Sequence, residues 1–190
     1  MTKRLFIALE IIPDPNFMTV YSKIKAVATT KLDIINWIKP DLMHITLKFL
    51  GDTDPDKISS VLERMEYVGR KTTPFQLDIS GIGVFGSRYQ PRVLWFGIVG
   101  NTAVQQLHFL IQKQMKQLDF KPDFGNFVPH LTIARIHKIE DKRRFRENIE
   151  SMKTSFVQQI TVNKMILYES ILKKYTPIYQ KMGEVYLLAQ

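Results

Sequence analysis

Two short stretches, His44-Ile45-Thr46-Leu47 and His130-Leu131-Thr132-Ile133, repeat the pattern His-x-Thr-apolar 86 residues apart in a chain of 190. In a β-strand successive side chains point to opposite faces, so each histidine shares a face with its threonine. Ile45, Leu47, Leu131 and Ile133 take the other face, which belongs to a core. A single pattern of this kind is an ordinary solvated strand face. Two in the same alternation suit a reaction in which one proton is removed while another is delivered, as in phosphodiester cleavage. A neutral imidazole activates the entering oxygen and a protonated one supplies the leaving oxygen. Histidine, with an unperturbed pKa of about 6.5, supports both forms near neutrality. Each threonine hydroxyl can donate to a nonbridging phosphate oxygen where charge builds. Geometry alone leaves either histidine as acid or base.

The elements around the motifs must bring them together. Arg4 to Ile12 reads as a strand stopped by Pro13-Asp14-Pro15-Asn16, which also caps a helix carrying Phe17, Val20, Tyr21, Ile24, Val27 and Ala28 at helical spacing. A short apolar run, Ile34 to Ile38, ends at Pro40, and His44 to Leu50 is the first motif strand, closed by Gly51-Asp52. Asp54-Pro55 starts a second helix with Ile58, Val61, Leu62, Met65 and Val68. Phe75 to Phe85 is a strand in which Gly81 and Gly83 signal a bulge or a close backbone approach. The order then restarts: strand Arg92 to Val99, turn and cap Gly100-Asn101-Thr102, and a helix with Val104, Leu107, Ile111, Met115 and Leu118. The second motif strand follows, then a charged helix with Phe145, Ile149 and Met152, a long strand signal from Phe156 to Glu169, and a Tyr-rich tail.

Each half therefore reads strand, helix, motif strand, helix, strand, the mark of an internal duplication. The first strands align as Phe6-Ile7-Ala8-Leu9 and Trp95-Phe96-Gly97-Ile98, with Phe6/Ala8 and Trp95/Gly97 each sharing a face. The expected fold is α+β: two pseudo-twofold-related α/β lobes with antiparallel sheets flanking a central cleft. They form one bilobal domain over 1–190, with halves of about 1–87 and 88–190.

Composition narrows the partners. Lys and Arg number 27 against 18 Asp and Glu, a net charge of +9 that favours polyanions such as nucleic acid, or is simply a basic surface. With no cysteine, disulfides and thiolate sites are excluded. No metal or cofactor is expected, because His-x-Thr is not a metal-ligand pattern and no carboxylate repeats beside it. The run Leu5 to Leu9, broken by Glu10 and Pro13, is too short for a signal segment. Nothing approaches the ~20 apolar residues of a membrane span, and without a signal segment a soluble, cytoplasmic protein is expected; it is also expected to be a monomer. His108 and His137 read as solvated or capping residues. Arg135, five residues after His130, falls on the opposite face of a regular strand and reaches the motif face only if the strand bulges or ends first. Lys142, Arg143, Arg144 and Arg146 form a basic cluster that could follow an RNA backbone, or a solvated helix face.

The chain resembles the two-histidine phosphoesterase superfamily, and within it the RNA 2′,3′-cyclic phosphodiesterases once described as 2′-5′ RNA ligases. The resemblance is carried by Arg4 to Leu9, Lys39 to Gly51, Pro91 to Trp95, Pro129 to Arg135 and Leu167 to Ser170. Val128 departs from it, since a polar or basic residue more often precedes Pro-His. The resemblance implies metal-independent hydrolysis of an RNA 2′,3′-cyclic phosphate end to a 2′-phosphomonoester. It makes His44 the proton donor and His130 the acceptor, sets Thr46 and Thr132 on the phosphate oxygens, and places Arg135 at the phosphate. Phe6 and Trp95 are expected to line the substrate site. The competing readings are reversible 2′-5′ RNA ligation, a small cyclic nucleotide or ADP-ribose cyclic phosphate as substrate, and a nonenzymatic RNA-binding module.

Overall fold

The computed structural model describes residues 1–28, 30–87, 89–100, 102–123, 125–173 and 177–188. Among them, nine strands and four α-helices follow in the order β1 (Lys3–Glu10), α1 (Pro15–Ala28), β2 (Ile34–Trp37), β3 (His44–Thr53), α2 (Ile58–Gly69), β4 (Phe75–Gly86), β5 (Pro91–Val99), α3 (Thr102–Lys116), β6 (His130–Lys138), α4 (Lys142–Glu150), β7 (Phe156–Val162), β8 (Lys164–Ile171) and β9 (Ile178–Tyr186). The strands form two antiparallel sheets, β3-β1-β8-β9 and β2-β6-β5-β4-β7. The fold is α+β.

Local chemistry starts the helices where the sequence places them. The Asp14 carboxylate accepts from the Phe17 amide at 2.7 Å, satisfying a free N–H at the head of α1. The stripe of α1 buries Phe17, Tyr21, Ile24 and Ala28, while Val27 is exposed. Asp54 caps as expected, accepting from the Asp56 amide at 3.1 Å, but Pro55–Lys57 form a 3₁₀ turn and the α-helix begins at Ile58. Tight turns of this kind commonly lead into helices. Gly81 and Gly83 have separate causes. Gly81 adopts φ 77° inside a break in the β4–β5 register, whereas a Cβ on Gly83 would lie 2.2 Å from the Trp95 ring.

Two expectations about the strands need correction. The run from Phe156 to Glu169 is two strands, β7 and β8, parted at Asn163, whose carbonyl accepts from the Leu187 amide at 2.8 Å. That long-range bond is invisible in a continuous apolar run. The first motif strand also continues past Gly51-Asp52 to Thr53. The Tyr-rich tail contributes β9; Tyr175 of that tail, like Asn101 of the expected turn, lies outside the described residues.

The two sheets are not the two halves 1–87 and 88–190. Each motif strand does pair with the first strand of its own half, β3 with β1 and β6 with β5. The next strand in each sheet comes from the opposite half: β8 adds beside β1, and β4 adds beside β5. The first three strands of β3-β1-β8-β9 and β6-β5-β4-β7 therefore correspond, whereas the fourth, β9 and β7, both come from the second half, and β2 is an extra strand beside β6. Helices α2 and α3 pack on the first sheet and α1 and α4 on the second. One continuous core contains residues of both sheets and all four helices, including Leu5, Ile45, Leu131, Phe17, Val61, Val104 and Phe145. β1 is buried on both faces. Its odd residues enter that core, while Phe6 and Ala8 join Ile166, Tyr168 and Tyr179 in a separate apolar cluster on the opposite face, beside His44.

Candidate active site

The motif strands share an irregularity that decides which side chains reach the cleft. On β3, Thr46 lies opposite Ala8 and Lys48 opposite Ile7, so Leu47 is an extra residue. On β6, Thr132 lies opposite Trp95 and Ala134 opposite Leu94, so Ile133 is the extra residue. Both strands bulge three residues after the histidine, and a bulge reverses the alternation beyond it. Lys48 and Ala134 are thereby turned inward, 1% and 0% exposed, while Phe49 and Arg135 come round to the face of the histidines. The regular-strand expectation for Arg135 fails for this reason, and the condition under which it reaches the motif face is met.

Each histidine is held by the same bond. Nδ1 of His44 lies 2.8 Å from the Leu42 carbonyl oxygen, and Nδ1 of His130 lies 2.8 Å from that of Val128. A carbonyl oxygen only accepts, so Nδ1 carries the hydrogen in both rings and, in the neutral form, Nε2 holds the free lone pair. Burial pushes both imidazoles below the ordinary histidine value, and the carbonyl bonds pull each partly back. The positive charge of Arg135 lowers both, and His130 lowers His44 further, which places the three groups within electrostatic reach of one another.

Phe6 and Tyr179 flank His44 at ring-centroid distances of 5.0 and 5.1 Å. Phe85 and Trp95 flank His130 at 4.8 and 6.4 Å. Phe6 and Trp95 thus both stand beside a motif histidine, but not at equivalent positions. His44 lies opposite Glu10 and His130 opposite Gly97, so the register matches Trp95 with Ala8 and displaces the expected alignment by two residues.

Beyond Thr46 and His130 the cleft continues into a pocket lined by Phe49, Phe85, His108 and Phe127, with Gln112 and Asn126 among its polar groups. His108 is neither solvated nor a cap: its ring stacks on Phe127 at 3.8 Å, with 2° between the planes. His137 is exposed and lies 3.1 Å from the Asn36 amide nitrogen. Lys142, Arg143, Arg144 and Arg146 stand on the exposed side of α4. Three cleft residues escaped the sequence reading, Phe49, Phe85 and Tyr179, as did the inward-turned Lys48 behind the motif face. Extending the alignment of the two motifs to five residues beyond the histidine pairs Phe49 with Arg135. Phe85 and Tyr179 lie on hairpins with β5 and β8, and it is the pairing of β5 with β6 and of β8 with β1 that carries them to the histidines.

A cleft between two antiparallel sheets, each offering a His-x-Thr pair from a bulged strand, defines a two-histidine phosphoesterase architecture. The chain belongs to the 2′-5′ RNA ligase superfamily, whose family model matches residues 41–170. It is 34% identical over 156 residues to the RNA 2′,3′-cyclic phosphodiesterase of Aquifex aeolicus, covering 80% of this chain and 81% of that one. It is 32% identical over 167 residues to the protein of the same name from Geobacillus stearothermophilus, covering 88% of this chain and 52% of that relative, about half its length. The crystal structure of TT0787 of Thermus thermophilus has the same fold, with a TM-score of 0.77, 20% identity, and coverage of 98% of this chain and 99% of that one. No helix among the described residues is long and apolar enough to cross a membrane.

Proposed function

We propose that the protein hydrolyses RNA 2′,3′-cyclic phosphate ends to 2′-phosphomonoesters, with acid, base and charge stabilisation all supplied by side chains and no metal. The observation that carries this reading is the matched pair of imidazoles. Each has Nδ1 tied to the backbone and Nε2 left to act on a proton, and both lie within reach of Arg135.

In the proposed reaction His130 Nε2 takes a proton from water as its oxygen attacks phosphorus. The phosphorus–O3′ bond breaks, and protonated His44 gives its Nε2 hydrogen to O3′, leaving a 3′-hydroxyl and a 2′-phosphate. The donor and acceptor roles follow the family resemblance, since the two histidines are alike in their backbone bond. Thr46 and Thr132 donate to the nonbridging oxygens, and Arg135 offsets the charge that develops there. Bound phosphate raises the His44 pKa, because an anion favours imidazolium, and so populates the acid that burial disfavours in the empty site. The neighbouring aromatic pocket offers faces on which a nucleobase can stack.

The test is to incubate an RNA carrying a 2′,3′-cyclic end with the protein in the presence of a chelator and identify the product. A 2′-phosphate formed under chelation is expected. A 3′-phosphate, a requirement for added metal, or joining to an RNA 5′-hydroxyl in place of hydrolysis would overturn the reading.

A further inference from the structure

The two histidines share one hydrogen bond but differ in what holds its acceptor. Leu42 belongs to a 3₁₀ turn, Pro40–Leu42, closed by bonds from Leu42 to the Lys39 carbonyl at 3.0 Å and from Met43 to the Pro40 carbonyl at 3.3 Å. The Met43 carbonyl is in turn bonded by the Ile11 amide at 3.1 Å, next to β1. The acceptor of His44 is thus secured by backbone close to it in sequence or in the same sheet. Val128 has no such frame: among the described residues between α3 and β6 there is no helix or strand, and Val128 itself is 48% exposed.

What reaches that segment is Lys48, the inward-turned residue after the bulge of the first motif. Its side chain is 1% exposed, and Nζ donates to the Lys121 carbonyl at 2.6 Å and to Asp123 Oδ1 at 2.8 Å. The other Asp123 oxygen accepts from the Gln112 amide of α3 and lies 3.8 Å from His108 Nε2. His108 stacks on Phe127, the residue before Val128. An ammonium buried to this degree is tolerable only while paired, so Lys48 holds the segment against β3 as firmly as its own burial demands. The equivalent position in the second motif is Ala134, which makes no return contact of this kind.

We propose that Lys48 and Asp123 are positioning residues: through the ion pair of this buried lysine the first motif strand holds the Val128 carbonyl against His130 and keeps the ring hydrogen of His130 on Nδ1. The clamp runs one way, from the His44 strand to the His130 ring. Its consequence for turnover rests on the hydrolase reading, but the placement of the ring hydrogen does not.

The experiment uses the full chain with ¹⁵N-labelled histidine, whose four imidazoles are assigned from single His→Ala variants. In the unmodified protein the ring nitrogens of both His44 and His130 should show the Nδ1–H form. Lys48→Met and Asp123→Asn should each move His130 toward a mixture of ring tautomers, leave His44 in place, and lower kcat about 10- to 100-fold, the scale expected for a displaced reacting group. If Lys48→Met fails to fold, Asp123→Asn decides, since Asp123 is 41% exposed on its side chain. An unchanged His130, or equal disturbance of both histidines, overturns the proposal. Loss of the His130 signature in a protein without cyclic phosphodiesterase activity would support the clamp while rejecting the hydrolase.

Discussion

His44 and His130 sit on strands with the same bulge and make the same bond to the backbone, yet the walls behind them have diverged. Four residues on, the first motif places a buried lysine where the second has Ala134. Five residues on, the first places an exposed phenylalanine where the second has Arg135. The flanking rings differ as well, Phe6 and Tyr179 against Phe85 and Trp95. The invariant parts are those that fix a proton on Nδ1. The divergent parts are those that would meet the two unlike ends of a nucleotide, since a guanidinium suits phosphate and an aromatic face suits a base. Under the proposed function, the repeated parts carry the chemistry and the divergent parts the binding of substrate.

The largest expected effect tests the symmetric part. His44→Ala and His130→Ala should each reduce single-turnover rates about 10²- to 10⁴-fold, the range for losing one acid or base. Affinity for a cyclic-ended RNA should largely survive in both. A loss confined to one variant would break the equivalence of the two rings and reject the paired acid/base scheme.

The asymmetric part separates two variants at the fifth position. Arg135→Ala should weaken substrate binding in a salt-dependent manner and flatten the dependence of kcat/KM on ionic strength, because one fewer cation meets the phosphate. Phe49→Ala should raise KM for nucleotide substrates by a factor corresponding to about 1–3 kcal/mol of lost stacking, with the salt slope unchanged. Steady-state kinetics at several salt concentrations distinguish them. Identical responses would show that the two walls do not divide the substrate.

The same comparison marks where the sequence was readable. The motif strands, the capping aspartates Asp14 and Asp54 and the apolar stripes of the helices are local patterns, and local patterns survive in one dimension. Arg135 was misplaced because its face depends on the bulge at Ile133, which exists only in the register between β6 and β5. The exchange of β4 and β8 between sheets is likewise a matter of pairing partners, which alternation within a strand does not encode. Regular alternation would set Lys48 on the motif face, and only the bulge at Leu47 turns it into the core. Legibility failed wherever a side chain's direction was set by a neighbouring strand.

The smallest expected effect, a displacement along the pH axis, follows from the one group that acts on both histidines. Burial is the first cause lowering each ring, and Arg135 adds to it in both cases. In kcat/KM the acidic limb reports the base, which must lose its proton, and the alkaline limb reports the acid, which must keep it. With both rings lowered, both limbs should lie on the acid side of the positions an unperturbed histidine of about 6.5 would give. Removing a positive neighbour raises a histidine pKa, so Arg135→Gln should move the whole profile to higher pH rather than one limb alone. Phe49→Ala carries no charge change and should leave it in place. Repulsion between His44 and His130 disfavours the doubly protonated pair, which widens the range over which one proton is shared between them. The Arg135→Gln profile should therefore shift without narrowing. A profile that stays in place in this variant, measured by kcat/KM between pH 5 and 9, would separate Arg135 from the two rings and leave burial, with the His130 charge acting on His44, to account for their displacement.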